Sequence, residues 1–200
     1  LTIAHYLKKS DLTAGLKRVL VGAGVDKLSI ALDANSEPMI TASGMGKEVN
    51  DAAAQPGGFT TVGGLPPSGL IGEMLIGNNA MKFLKAKFDI ENGLWLRKDE
   101  YGDASAVELI RGERRNVNLS ISCHAEDEAT LYDLAEAGTN TGIFVQGGFT
   151  EGNIFAIACP QVEVKVPSTG DGDSIVDWDY TAKALESLDS ANDEISLGMF

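Results

Sequence analysis

Basic residues, cysteine, histidine and aromatics are all scarce in this 200-residue chain, and each shortage excludes something. Its two cysteines, Cys123 and Cys159, make no disulfide framework for a chain of this length. Both sit in apolar alternating stretches, LSISCH and FAIACP, where a free cysteine serves as a small core residue. The two histidines, His5 and His124, add too few ligands at the wrong spacing for structural zinc. Lys and Arg number 16 against 29 Asp and Glu, a net charge of −13. Phosphate-backbone affinity depends on clustered cations, so this balance argues against a sequence-reading nucleic-acid binder. No apolar run approaches the roughly 20 residues of a membrane-spanning helix, and the start lacks the charged-then-apolar secretory pattern. Asn118-Leu119-Ser120 is a formal glycosylation sequon that carries no weight without such a signal. The first residue is Leu1 rather than Met, which reads as a processed or partial product.

What remains is globular. A hydrophobic share of 44 % with 22 % charged residues is that of a folded domain, and the length suits one large domain or two small ones. The charge is unevenly placed. Leu1 to His124 carries 14 acidic and 14 basic residues, whereas Ala125 to Phe200 carries 15 acidic residues and only Lys165 and Lys183 as bases. One reading is a solvated acidic face that aids solubility; the other is a surface that must not stick to an anion.

Period-2 alternation predicts strands over 25–32, 38–43, 81–90, 116–123, 142–149, 153–159, 161–166 and 174–185. The segment NVNLSISC is the cleanest, with Val117, Leu119, Ile121 and Cys123 on one face. One helix is predicted, over about 126–137, where Leu131, Leu134 and Ala135 share a face, acids crowd the first turn and Gly138 follows the end. Between 52 and 72 glycines and prolines interrupt any helix or strand, so the stretch reads as a linker or as a functional loop whose Phe59 and Leu65 suit docking on a neighbouring chain. GVDKLSI with its following turn and strand echoes QVEVKV with its own. The echo reads either as a duplicated domain or as chance likeness of two hairpins.

Catalytic patterns are missing. Gly22-Ala23-Gly24 lacks a third glycine and a following helix, and there is no phosphate-cradling GxxxxGK[ST]. Cys123 and His124 are adjacent in a strand and so point to opposite faces. Asp171, Asp173, Asp177 and Asp179 faintly resemble a calcium loop but lack its twelve-residue frame closed by glutamate. The expectation is therefore no enzyme, no cofactor and no metal. Arg111, Arg114 and Arg115 cluster before the best strand, either as a solvated strand entrance or as a site for ion pairs between subunits. The apolar Ile195 and Phe200 near the chain end read as either a docking arm or a loose terminus.

RGERRNVNLSISCHAEDEATLYDLAEAG followed by FVQGGFTEGNIFAIACPQVEVKVPSTGDGDSIVDWDYTAKAL resembles the closing part of tail tube proteins from long non-contractile-tailed bacteriophages. GAGVDKLSIALDANSEPMITASGMGKE and FDIENGL are similar to further segments of that family. The resemblance implies a mainly β fold, a β-sandwich or barrel of the tail-tube type with one flanking helix and a first domain left incomplete. It implies a structural virion protein that polymerises into stacked rings, hexameric or trimeric with pseudo-sixfold symmetry, around a conduit for DNA. Its partners would be itself and the terminator, tape measure and distal tail proteins, assembled in the host cytoplasm into the phage tail, without a membrane.

On that reading residues 1–51 end a first tube-like domain or form a hairpin, 52–72 link, 73–187 form the tube-type domain and 188–200 an arm. Arg111, Arg114, Arg115, Phe59, Leu65, Ile195 and Phe200 are the expected subunit contacts. Asp171, Asp173, Asp177 and Asp179 are the expected lumen acids, since an acidic lining repels passing phosphates. The alternative is a monomeric β-sandwich module of a tail tip or adaptor that binds a receptor or carbohydrate.

Overall fold

Alternation builds the sheet. In an extended chain successive side chains point to opposite faces, so Val117, Leu119, Ile121 and Cys123 must share one. In the computed structural model all four are at most 3 % exposed. It describes residues 3–7, 16–52, 72–77, 79–98, 100–102, 106–125, 129–171, 176–187 and 193–199.

The elements are β1 (Ile3–Leu7), β2 (Leu16–Val21), β3 (Gly24–Asp33), β4 (Met39–Met45), β5 (Glu48–Ala52), β6 (Gly72–Ile76), β7 (Asn79–Met81) and β8 (Lys85–Glu91). They continue as β9 (Leu94–Arg97), β10 (Glu108–Arg111), β11 (Asn116–His124), α1 (Ala129–Ala137), β12 (Thr141–Gly147), β13 (Phe155–Val164), β14 (Ser168–Asp171), β15 (Val176–Leu185) and β16 (Ser196–Met199). The fold is mainly β with one short helix among the described residues, as the sequence leads one to expect.

The chain divides into two compact units. Unit 1 takes Leu1–Leu28, Ala42–Gly63 and Glu91–Arg114; unit 2 takes Ser29–Thr41, Gly64–Ile90 and Arg115–Phe200. Within unit 1, β1, β2 and β5 form a three-stranded sheet with β2 in the middle, and β9 pairs with β10 as a separate two-stranded ribbon. A larger sheet runs in the order β4-β3-β8-β11-β15-β13-β12-β6-β7, with β14 added to β15 and β16 to β13. The division between the units falls within β3 and β4 and at the last residue of β8.

Unit 2 holds the larger core. Phe88 on β8, Ile121 on β11, Val145 on β12, Ile157 and Val162 on β13 and Tyr180 on β15 are all at most 2 % exposed. Helix α1 packs on β13 through a face that buries Leu131 and Ala135. Its Tyr132 ring lies 5.2 Å from that of Trp178, which meets Tyr180 edge-on at 6.2 Å. The helix stops at Gly138, whose φ of 62° is open to glycine at little cost. There the Thr139 N–H donates to the Leu134 carbonyl at 3.1 Å and the Gly138 N–H to that of Ala135 at 3.3 Å, closing the end.

Two strand limits differ from the sequence reading. Residues 81–90 do not form one strand: β7 pairs with β6 at one end of the sheet, whereas β8 lies between β3 and β11. One straight strand cannot serve both places, and the break falls at Lys82-Phe83-Leu84. Conversely, β13 runs unbroken through Pro160. Its partner on one edge changes there, from β16 at Phe155–Ala158 to β15 at Gln161–Val164. On the other edge the pairing with β12 shifts register between Thr141 and Ile143. Pro160, which has no N–H to donate, falls in that gap. The acids 126–128 that the sequence reading places in the first turn of the helix lie outside the described residues.

Candidate assembly site

The solvent face of the β11–β15 pair is a polar row built by the same alternation that buries the other face. Register sets His124 opposite Asp177, Ser122 opposite Asp179 and Asn118 opposite Lys183. His124 Nδ1 lies 2.8 Å from Asp177 Oδ1, and the Ser122 hydroxyl donates to Asp179 Oδ1. On β8 the Lys87 ammonium donates to Asp89 at 2.7 Å, and Glu163 on β13 stands opposite Lys183. Of the four acids expected in the lumen, Asp177 is half-buried and Asp179 exposed, both on this face. Asp173 and the side chain of Asp171 lie outside the described residues.

The arginine cluster is split by its surroundings. Arg111 ends β10 and is exposed, its Nε donating to the Glu113 carbonyl at 3.2 Å; Arg114 is exposed too. Arg115 instead points inward in unit 2, its Nη1 3.3 Å from Oε2 of Glu194, a carboxylate only 4 % exposed. Next to it the Asp193 carboxylate accepts the Ser187 N–H at 2.9 Å. Side-chain and backbone hydrogen bonds from Ser187 hold that carboxyl below the usual aspartate range. These two acids anchor the segment that continues through half-buried Ile195 into β16, which adds to β13 with Met199 opposite Phe155. Phe59, Leu65 and Phe200 lie outside the described residues.

Two apolar surfaces escaped the sequence reading. In the β9–β10 ribbon, Trp95 stands opposite Ile110, and the two are 58 % and 36 % exposed. The ribbon's other face looks inward: a Cβ added at Gly24 would collide with Leu94 and Leu109. The Leu94 N–H donates to Asp26 Oδ1 at 2.7 Å and the Asn92 side chain to the Val25 carbonyl at 2.9 Å, which fixes the ribbon's root on β3. Beside Trp95, Arg97 is bonded to Glu100 and Glu108, which keep it firmly charged. In unit 2 an apolar groove of about 280 Å³ is lined by Ile40, Phe155, Leu197 and Met199, among others. Alternation in LWLR and ELIR could have found the ribbon; the groove joins residues 30–40, 153–157 and 197–199, a juxtaposition with no local signal.

Among the described residues neither cysteine is placed as an activated nucleophile. Cys123 is buried while His124 turns to the opposite face, and burial pushes the Cys159 thiol up to about 12, far from a thiolate nucleophile. Among the described residues no group of three His, Cys, Asp or Glu side chains could hold a metal ion. Among the same residues no helix is long and apolar enough to cross a membrane.

The fold is similar to that of the anti-feeding prophage cap, a tube-terminating cap solved by cryo-electron microscopy. The TM-score is 0.54 at 13 % identity, over 71 % of this chain and 97 % of that one, a likeness of fold alone. No curated protein matches the sequence. The model of the phage tail tube protein family, however, matches residues 4–182. That span takes in both units and the polar face of β11 and β15, and the chain therefore belongs to the phage tail tube protein family, a structural component of a phage tail.

Proposed function

We propose that the chain polymerises into stacked rings that form the tube of a long non-contractile phage tail, and that the tube conducts DNA during ejection without catalysing any reaction. The rings are hexamers, or trimers if the tube domain is duplicated. The tube is built in the host cytoplasm and meets the terminator, tape measure and distal tail proteins at its ends and in its lumen.

The observation that carries this reading is where the charge resides. Unit 1 contains ten acidic and ten basic residues, whereas unit 2 contains nineteen acidic and six basic ones, the whole net charge of −13. A conduit must not bind what passes through it, and an acidic wall repels phosphates by the same electrostatics that lets basic grooves hold them. Asp177 and Asp179 belong to that wall. Their own partners fit the assignment: Ser122 is neutral and the His124 imidazole bears a full charge only when protonated, so neither contact sets a permanent cation against these two carboxylates. Exposed Arg111 and Arg114 are the subunit contacts in this reading.

Light scattering on the purified chain across a concentration series, with and without duplex DNA, tests it. Mass should rise to rings and tubes that leave added DNA free. A monomer at every concentration would favour the receptor- or carbohydrate-binding module instead.

A further inference from the structure

We infer that the Trp95–Ile110 face of the β9–β10 ribbon docks into the apolar groove lined by Ile40, Phe155, Leu197 and Met199 on a second copy of this chain. The inference rests on the polymerisation proposed above and names the contact that makes it repeat.

The ribbon is the first half of the argument. It has only two strands, and such a hairpin is marginal in water unless its faces are covered. Leu94 and Leu109 turn inward toward Gly24, but Trp95 is left 58 % exposed with Ile110 as its cross-strand neighbour. A rigid aromatic beside an aliphatic on a fixed ribbon is the make-up of an interface anchor. Neighbouring Arg97 is already satisfied by Glu100 and Glu108, so it need not be stripped of water when Trp95 is buried.

The groove is the second half. Unit 2 has nineteen acidic residues, yet among the described residues no charged side chain lines this groove, and the one side-chain polar group there is that of Asn153. Ile40, Leu197 and Met199 are 55 %, 51 % and 79 % exposed there. An uncharged apolar groove of about 280 Å³ in so acidic a unit is a place kept clear for an apolar guest.

Charge selects the guest. Two acidic units brought face to face repel, whereas unit 1 is neutral and presents exposed Arg111 and Arg114, with Glu113 between them, at the ribbon's Leu94–Arg111 end. The ribbon of one copy therefore suits the groove of another. Because the two patches are different surfaces of one chain, the contact is heterologous: each copy that docks still offers a free ribbon or a free groove, and the assembly grows.

Two variants and their mixture test it, each first checked for an unchanged circular dichroism spectrum. Trp95→Ser removes the guest, with Ile110→Ser as a second variant of the same face should the first misfold. Ile40→Asp with Met199→Asp blocks the groove. By light scattering each variant should stop at its smallest particle, and an equal mixture should double that mass and stop, since only one ribbon–groove contact is then intact. If either variant polymerises like the wild type, or the mixture does not gain mass while the wild type forms tubes, the inference is overturned and the polymerisation reading survives. A wild-type chain that never polymerises overturns both.

Discussion

Arg115 Nη1 lies 3.3 Å from Glu194 Oε2 across 79 residues of sequence, and Glu194 is the buried charge that this one cation answers in the side-chain ion pair. Removing one member of a buried pair strands the other, at a cost of about 3–5 kcal/mol. Arg115→Met should therefore lower stability by about 3 kcal/mol, the lower end of that range because the arginine is partly solvated. Glu194→Gln leaves a neutral group that still hydrogen-bonds, so its cost should be nearer about 1 kcal/mol. Urea midpoints of the two variants and of the double variant check the order.

The neighbouring contact gives a pH dependence. Ser187 donates to the Asp193 carboxylate and keeps its folded pKa below the ordinary aspartate value of about 3.9. A carboxyl whose pKa is lower in the folded state adds stability above its unfolded value and loses it as pH falls through the folded one. The segment leading into β16 should therefore loosen only in strong acid. In a carboxyl-detected NMR titration, Asp193 should titrate below the exposed aspartates, and Ser187→Ala, which removes the hydroxyl but keeps the backbone N–H, should bring it only part of the way back toward them.

Gly24 is held to glycine by its neighbours. A methyl group there would meet the terminal carbons of Leu94 and Leu109, so both side chains would have to shift within the packed face of the ribbon. Gly24→Ala should destabilise the chain by about 1–3 kcal/mol, as overpacking does. A lower urea midpoint at an unchanged slope is the expected result.

Placing Asp177 and Asp179 on the tube's inner wall makes a further prediction. Asp177→Lys with Asp179→Lys replaces two carboxylates by two cations on that face, so DNA should be retarded by tubes of this variant and released as salt rises. Wild-type tubes should not retard it. A variant that polymerises and still ignores DNA would place both residues elsewhere.

Strands with strict alternation were legible because period 2 and burial are the same fact: residues 116–124 show it, as do 176–185, where Tyr180, Ala182 and Ala184 face the core. Met39–Met45 was legible too, as the predicted strand 38–43, although it is exposed on both faces over Met39–Gly44. The short strands β1, β2, β5, β6, β9 and β10 were not, and β16 has four residues whose strand identity depends on β13 beside it. The arginine cluster was visible as composition, but its division into exposed Arg111 and Arg114 and inward Arg115 depends on Glu194, far along the chain. Trp95 was passed over because a short ribbon with one bare face looks like any half-buried hairpin until the bare face is seen.

The most direct test of polymerisation into a tube is negative-stain electron microscopy of the purified chain after concentration. Stacked rings or hollow tubes with sixfold or threefold end views are the expected result. A field of single particles at every concentration, from protein whose circular dichroism shows the β fold, would contradict it.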